Sequence, residues 1–110
     1  MTTPTLGSLE LAALLAVARL ADDAYGLAVR QDLQERTGRD YSVGAVYTTL
    51  QRLEDKGFLT SYASEPLPVR GGRSRRHFVI TGAGARALRS AERNAAAVWA
   101  GVGSLRPRLS

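Results

Sequence analysis

Residues 42–81 constrain this chain more than any other stretch. They read as a helix, a glycine stop and two strands flanking an arginine-rich loop. Ser42 opens the helix. Val43, Val46, Tyr47, Leu50 and Leu53 follow at i, i+3, i+4, i+7 and i+10, along one helical face. Gly57, just after Lys56, is placed to close the helix in the left-handed conformation. Residues 58–62 read as one strand and residues 75–80 as another. The loop between them, residues 65–74, carries Pro66, Pro68, Gly71 and Gly72, which interrupt regular structure. A helix followed by a basic hairpin suits a nucleic-acid duplex. The helix fits the major groove, and the loop follows the backbone.

The chain has 110 residues, 45% of them apolar, which sets the expectation of one globular domain with a modest core. Its net charge of +5 is unevenly spread. Residues 1–40 carry 4 Arg against 6 Asp/Glu, a net of −2, whereas residues 41–110 carry 11 Lys/Arg against 4 Asp/Glu, a net of +7. Four of those arginines fall between residues 70 and 76. Positive charge concentrated on the reading half is the footprint expected of a nucleic-acid binder. With no cysteine and one histidine, His77, the sequence excludes disulfides, thiol catalysis and a histidine metal cluster. No cofactor is expected. No apolar run reaches the roughly 18 residues of a membrane span. The start, Met1-Thr2-Thr3-Pro4, lacks the charged region of a signal peptide. The expectation is a cytoplasmic protein.

Before residue 42 lie two further helices. Residues 6–20 are apolar on nearly every side, with only Glu10 and Arg19 charged. Such a helix is either central to the core or shared with a second subunit. Residues 21–24 read as a turn in which Asp22 or Asp23 is placed to cap the next helix. That second helix is expected over residues 25–37, with Val29 and Leu33 inward and Arg30, Gln31, Gln34 and Glu35 outward. Gly38 ends it. Two helices joined by a short turn, the second one reading, make a helix-turn-helix.

Thr81 is placed to cap a last helix over residues 82–101. Along it Gly84, Leu88, Ala91, Ala95, Val98 and Val102 alternate spacings of four and three, a short heptad seam of mostly small residues. A helix this short needs a partner, its own copy included. The expected organisation is a DNA-binding unit at residues 1–81, a dimerisation helix at 82–102 and a flexible tail at 103–110. Gly82-Ala83-Gly84-Ala85-Arg86-Ala87 formally spells a G-x-G-x-x-A dinucleotide fingerprint. Too little chain remains after it for another parallel strand and an acidic ribose ligand. The glycines fit a tight strand-to-helix turn instead, and nothing else suggests an enzyme.

Taken together, Tyr25-Gly26, Thr37-Gly38, Ser42-Val43-Gly44-Ala45-Val46-Tyr47, Leu50-Gln51-Arg52-Leu53-Glu54, Gly57, Gly71-Gly72-Arg73-Ser74-Arg75-Arg76 and Thr81-Gly82-Ala83-Gly84 closely resemble the PadR family of bacterial transcriptional regulators. The resemblance runs from about residue 6 to residue 88 and is strongest to short members with a single C-terminal helix. It implies a mainly helical fold with a β-hairpin wing, a winged helix-turn-helix. It also implies a homodimer built through the C-terminal helix, and repression relieved by a small-molecule effector. In some short members a tryptophan of that helix stacks flat aromatic drugs at the dimer interface. The sole tryptophan here, Trp99, lies about one turn later; it either packs in the interface or stacks a ligand. The chain departs from the family pattern at Phe78, where a tyrosine is frequent, and in its short, alanine-rich last helix.

The expected reading face comprises Ser42, Ala45, Thr48, Thr49 and Arg52, with Tyr47 a packed ring whose hydroxyl reaches a phosphate. Small and hydroxyl side chains allow close approach to base edges and thymine methyls. In the expected wing, Arg70, Arg73, Arg75 and Arg76 grip phosphates or a narrow minor groove, while Gly71 and Gly72 let the backbone press close. His77 is expected on a wing strand, exposed or half-packed. Leu11 and Leu15 of the first helix and Leu88, Ala91, Ala95, Val98 and Val102 of the last are expected at the dimer interface. The reading is a dimeric regulator, a repressor, on an inverted-repeat DNA operator. The alternatives are a ligand-sensing dimer with secondary DNA binding, and a winged-helix adaptor for RNA or protein.

Overall fold

α1 (Ser8–Leu20) begins after Gly7, whose N–H donates to Glu10 Oε1 at 2.8 Å and closes the first turn. The computed structural model describes residues 6–64 and 75–105. Ala13, Leu14, Ala16 and Val17 form the buried stripe of α1. Against it pack α2 (Gly26–Thr37), α3 (Val43–Asp55), and an antiparallel hairpin of β1 (Leu59–Ala63) and β2 (Arg76–Ile80). Val29 and Leu33 of α2, Val46, Leu50 and Leu53 of α3, and Phe58, Leu59 and Phe78 complete the core. α1 is therefore central, yet Leu15 on its far side is 40% exposed.

The turn after α1 departs from expectation. Residues Ala21–Asp23 form a 3₁₀ turn, and neither aspartate caps α2; Tyr25 holds the N-cap position with no side-chain bond. Residues 24 and 25 are used as strand instead. Phe78 N–H donates to the Ala24 carbonyl at 2.8 Å, and Tyr25 pairs antiparallel with His77. That short third edge delays the helix to Gly26. α2 then ends where expected, with Gly38 at φ +73° donating its N–H to Gln34 O at 2.8 Å.

Ser42 caps α3 by accepting from Ala45 N–H at 3.1 Å. The buried stripe of α3 is Val46, Thr49, Leu50 and Leu53, so two expectations are corrected. Val43 and Tyr47 lie outside the core: Val43 is exposed, and the Tyr47 ring covers Gly26 at the start of α2 with its other side open. Thr49 lies inside, 5% exposed, its hydroxyl donating to Ala45 O at 2.7 Å. That bond satisfies the polar atom and leaves the methyl free to pack.

At the other end Gly57, φ +82°, makes a Schellman closure: Gly57 N–H donates to Glu54 O and Phe58 N–H to Leu53 O, both at 2.9 Å. The hairpin returns the chain to this cap. Thr81 Oγ1 donates to Gly57 O at 2.6 Å, and Thr81 N–H to Phe58 O at 3.1 Å. The same hydroxyl accepts from Gly84 N–H at 3.0 Å and caps α4 (Gly82–Trp99). Gly84 is buried where a Cβ would strike the Phe58 carbonyl. The glycines thus serve a tight strand-to-helix turn, after a strand that pairs antiparallel with its neighbour. Ala83, Ala87 and Leu88 pack on the core, and α4 then projects away. Among the described residues no helix is long and apolar enough to cross a membrane.

Candidate nucleic-acid interface

The outer face of α3 is laid out by its burial pattern. Ser42, Gly44, Tyr47, Thr48, Gln51 and Arg52 are exposed, and Ala45 is half-buried beneath them. Gly44, Thr48 and Gln51 stand at i, i+4 and i+7, which makes them the centre line of that face. Gln51 is a residue sequence reasoning missed. Its spacing from Gly44 and Thr48 is the signal that marks it; at rest its amide donates to Asp55 Oδ1 at 3.0 Å. Arg52 sits on the flank nearer α1, close enough to add to the pull on the Glu10 carboxylate. The corrected face is therefore Ser42, Gly44, Ala45, Thr48 and Gln51, with Tyr47 and Arg52 at its edges and Thr49 absent.

Three elements meet beside this face. The Tyr47 ring lies over Gly26 in the first turn of α2, where a Cβ would collide with the ring. Tyr25, the residue before it, carries the Arg75 guanidinium 4.4 Å from its ring centroid. His77 presents its ring edge to Tyr25 at 5.7 Å and stacks on Tyr62 at 5.3 Å, while Nδ1 lies 3.1 Å from the Asp22 carbonyl oxygen. The Tyr47 ring, the start of α2 and Arg75 thus line one front, and His77 is half-packed behind it. Arg76 is engaged elsewhere: Nη1 donates to Ser61 Oγ at 2.7 Å, and Ser61 donates to Glu54 Oε2 at 2.8 Å. That chain ties the hairpin to the end of α3. The expected wing residues Arg70, Gly71, Gly72 and Arg73 lie outside the described residues.

Two ion pairs hold the scaffold behind the front. Lys56 Nζ lies 2.9 Å from Glu10 Oε1 and 2.7 Å from Oε2. The Lys56 hydrogen bond, aided by the Gly7 N–H, holds the Glu10 carboxyl below its ordinary range, although burial opposes the shift. Asp32 is lowered in the same way, first by its hydrogen bond from Arg19, with Arg36 adding a second contact at 3.3 Å. These pairs join α1 to α3 and α1 to α2.

The expected dimer residues are not brought to the reading front. Leu11 is partly covered and Leu15 exposed on α1; Leu88 packs partly on the chain's own core. Ala91 is half-buried and Ala95 exposed. Beyond them Val98 is 81% and Trp99 61% exposed, with Val102 and Leu105 also open. A cleft of about 350 Å³ between the end of α1 and the hairpin is lined in part by Val17, Ala18, Tyr62 and Val79; Trp99 does not line it.

Residues 14–90 match the transcriptional regulator PadR-like family. No curated protein sequence matches the chain. Among solved structures, a PadR family transcriptional regulator from Eggerthella lenta is similar at 27% identity and a TM-score of 0.66, covering 83% of this chain and 77% of that one. A PadR family regulator from Clostridium difficile is similar at 22% identity and a TM-score of 0.68, over 84% of this chain and 91% of that one. RosR of H. salinarum is similar at 20% identity and a TM-score of 0.70, over 93% and 84%. At such identities the last two speak to the fold alone. The family match spans most of the chain and the winged helix agrees with it, so this chain belongs to the PadR-like family of transcriptional regulators.

Proposed function

We propose that the chain is a homodimeric, sequence-specific double-stranded DNA-binding repressor that acts in the cytoplasm on an inverted repeat and is released by a small effector. Residues 1–81 form its DNA-binding unit, residues 82–102 its dimerisation helix and residues 103–110 its tail. One observation carries this reading: the exposed α3 face adjoins a front made by the start of α2 and Arg75. Gly44, Thr48 and Gln51 then face base edges, while Tyr47, Arg75 and the loop arginines face phosphates. Two recognition helices related by a two-fold axis reach successive major grooves, roughly 34–36 Å apart.

Selection of binding sites with purified protein, followed by salt titration, tests it. A selected inverted repeat is expected to bind far more tightly than random duplex. Arg75→Ala is expected to reduce the log–log salt slope by about 0.9 while leaving site preference intact. An unchanged slope removes Arg75 from the backbone contacts, and failure to select any site removes the function. The exposed Trp99 favours a second reading, a dimer that senses planar aromatic compounds. Quenching of its fluorescence by such compounds, without operator binding, supports that reading instead.

A further inference from the structure

Arg30, on the outward side of the helix wheel, is half-buried and bonded to the turn that follows α2. Its Nε donates to the Tyr41 carbonyl at 2.6 Å in a part-buried bond, and Nη2 donates to Asp40 Oδ1 at 2.8 Å. Both acceptors belong to the short turn between Gly38 and the Ser42 cap. Tyr41 lies outside both helices, so its carbonyl has no place in either helical ladder. We infer that Arg30 is a positioning residue for DNA recognition: its guanidinium braces the α2–α3 turn and sets the pitch at which the first turns of α3 meet the duplex. The inference rests on the DNA-reading role proposed above.

The physical case turns on what each kind of contact tolerates. Phosphate contacts by flexible cations survive a small error in helix orientation. Hydrogen bonds to base edges do not, since they weaken steeply with angle. Val29, Leu33, Val46 and Leu50 hold α2 against α3 through apolar contacts, which resist separation better than rotation. A planar fork joined to two successive residues of the turn supplies the missing directional restraint. Of its two bonds, the one to the backbone carbonyl matters more. Asp40 is largely exposed, and exposed ion pairs contribute little.

The experiment compares affinity for a selected operator with affinity for random duplex, across salt, in the full-length protein. Arg30→Met keeps the aliphatic stem and removes the fork. It is expected to lower the specific-to-non-specific ratio about tenfold, the size of one impaired base contact, with non-specific affinity and its salt slope unchanged. Arg30→Lys, with a single donor for the Tyr41 carbonyl, is expected to restore part of the ratio. Asp40→Ala is expected to change it less than about twofold. If Arg30→Met does not fold, Arg30→Leu, which also lacks a donor for the Tyr41 carbonyl, decides: a folded leucine variant with the full wild-type ratio overturns the inference. So does a folded Arg30→Met that keeps the ratio. A smaller salt slope with equal loss on both duplexes also overturns it, because Arg30 then contacts phosphate itself. Wild-type protein that does not discriminate between the duplexes defeats the DNA-reading role, and the inference with it.

Discussion

Thr48 and Thr49 are neighbours in sequence and opposites in environment. Thr48 is exposed on the α3 face, whereas Thr49 is buried with its hydroxyl bonded to Ala45 O. Thr48→Ala is expected to relax discrimination at one base pair by roughly 1–3 kcal/mol and to leave thermal stability unchanged. Thr49→Ala is expected to do the reverse, costing about 1 kcal/mol of stability with site preference intact. Competition binding with single-base operator variants, alongside thermal melting, separates the two. Equal behaviour of both variants in either assay contradicts the assignment of α3's faces. Thr49 was hard to read because threonine counts as polar on a helical wheel. Once its hydroxyl folds back to the preceding turn, only a methyl remains to be placed.

The helices were legible where their ends are chemically marked. Ser42, Gly38, Gly57 and Thr81 each satisfy otherwise unpaired backbone groups, so their positions are readable one residue at a time. The pairing of Tyr25 with His77 was not, since it joins segments far apart through a single residue pair that leaves no periodic trace. The ties between helices were equally silent. Glu10 and Lys56 stand on different elements and reveal their pairing only in three dimensions. Both paired carboxylates titrate below their ordinary values of 4.5 for Glu10 and 3.8 for Asp32. The stabilisation they supply is therefore fully present above about pH 4.5 and is lost as pH falls through their lowered folded values. Denaturant unfolding of wild type is expected to show declining stability below that pH. Glu10→Gln is expected to be less stable at pH 7 and to decline less steeply in acid. Parallel pH curves for the two proteins would show that the Glu10 pair contributes nothing.

The molecule measures 61 × 38 × 20 Å, an elongated shape for a chain of 110 residues. The outer half of α4, with Ala95, Val98 and Trp99, is exposed and rests on nothing among the described residues. An isolated helix of this length is marginal in water, which is the physical reason to expect a second copy against it. Ala95 makes a discriminating test because it is exposed in the single chain. Ala95→Glu on a solvated helix costs only tenths of a kcal/mol. Across a two-fold seam it buries like charges and costs several kcal/mol. Sedimentation is expected to show wild-type dimers and Ala95→Glu monomers, with tight operator binding lost alongside. A wild-type monomer that grips an inverted repeat tightly contradicts the dimer.

The junction at Gly57, Thr81 and Gly84 gives α4 a mechanical meaning. One threonine bonds both the closing turn of α3 and the opening turn of α4, and the missing Cβ of Gly84 leaves no slack between them. α4 is about 27 Å long, so a tilt of about 0.1 radian at its base swings its tip by about 3 Å. A push on the outer, alanine-rich half thus bears on the closing turn of α3 through a long lever, with large travel at the tip and little at the junction.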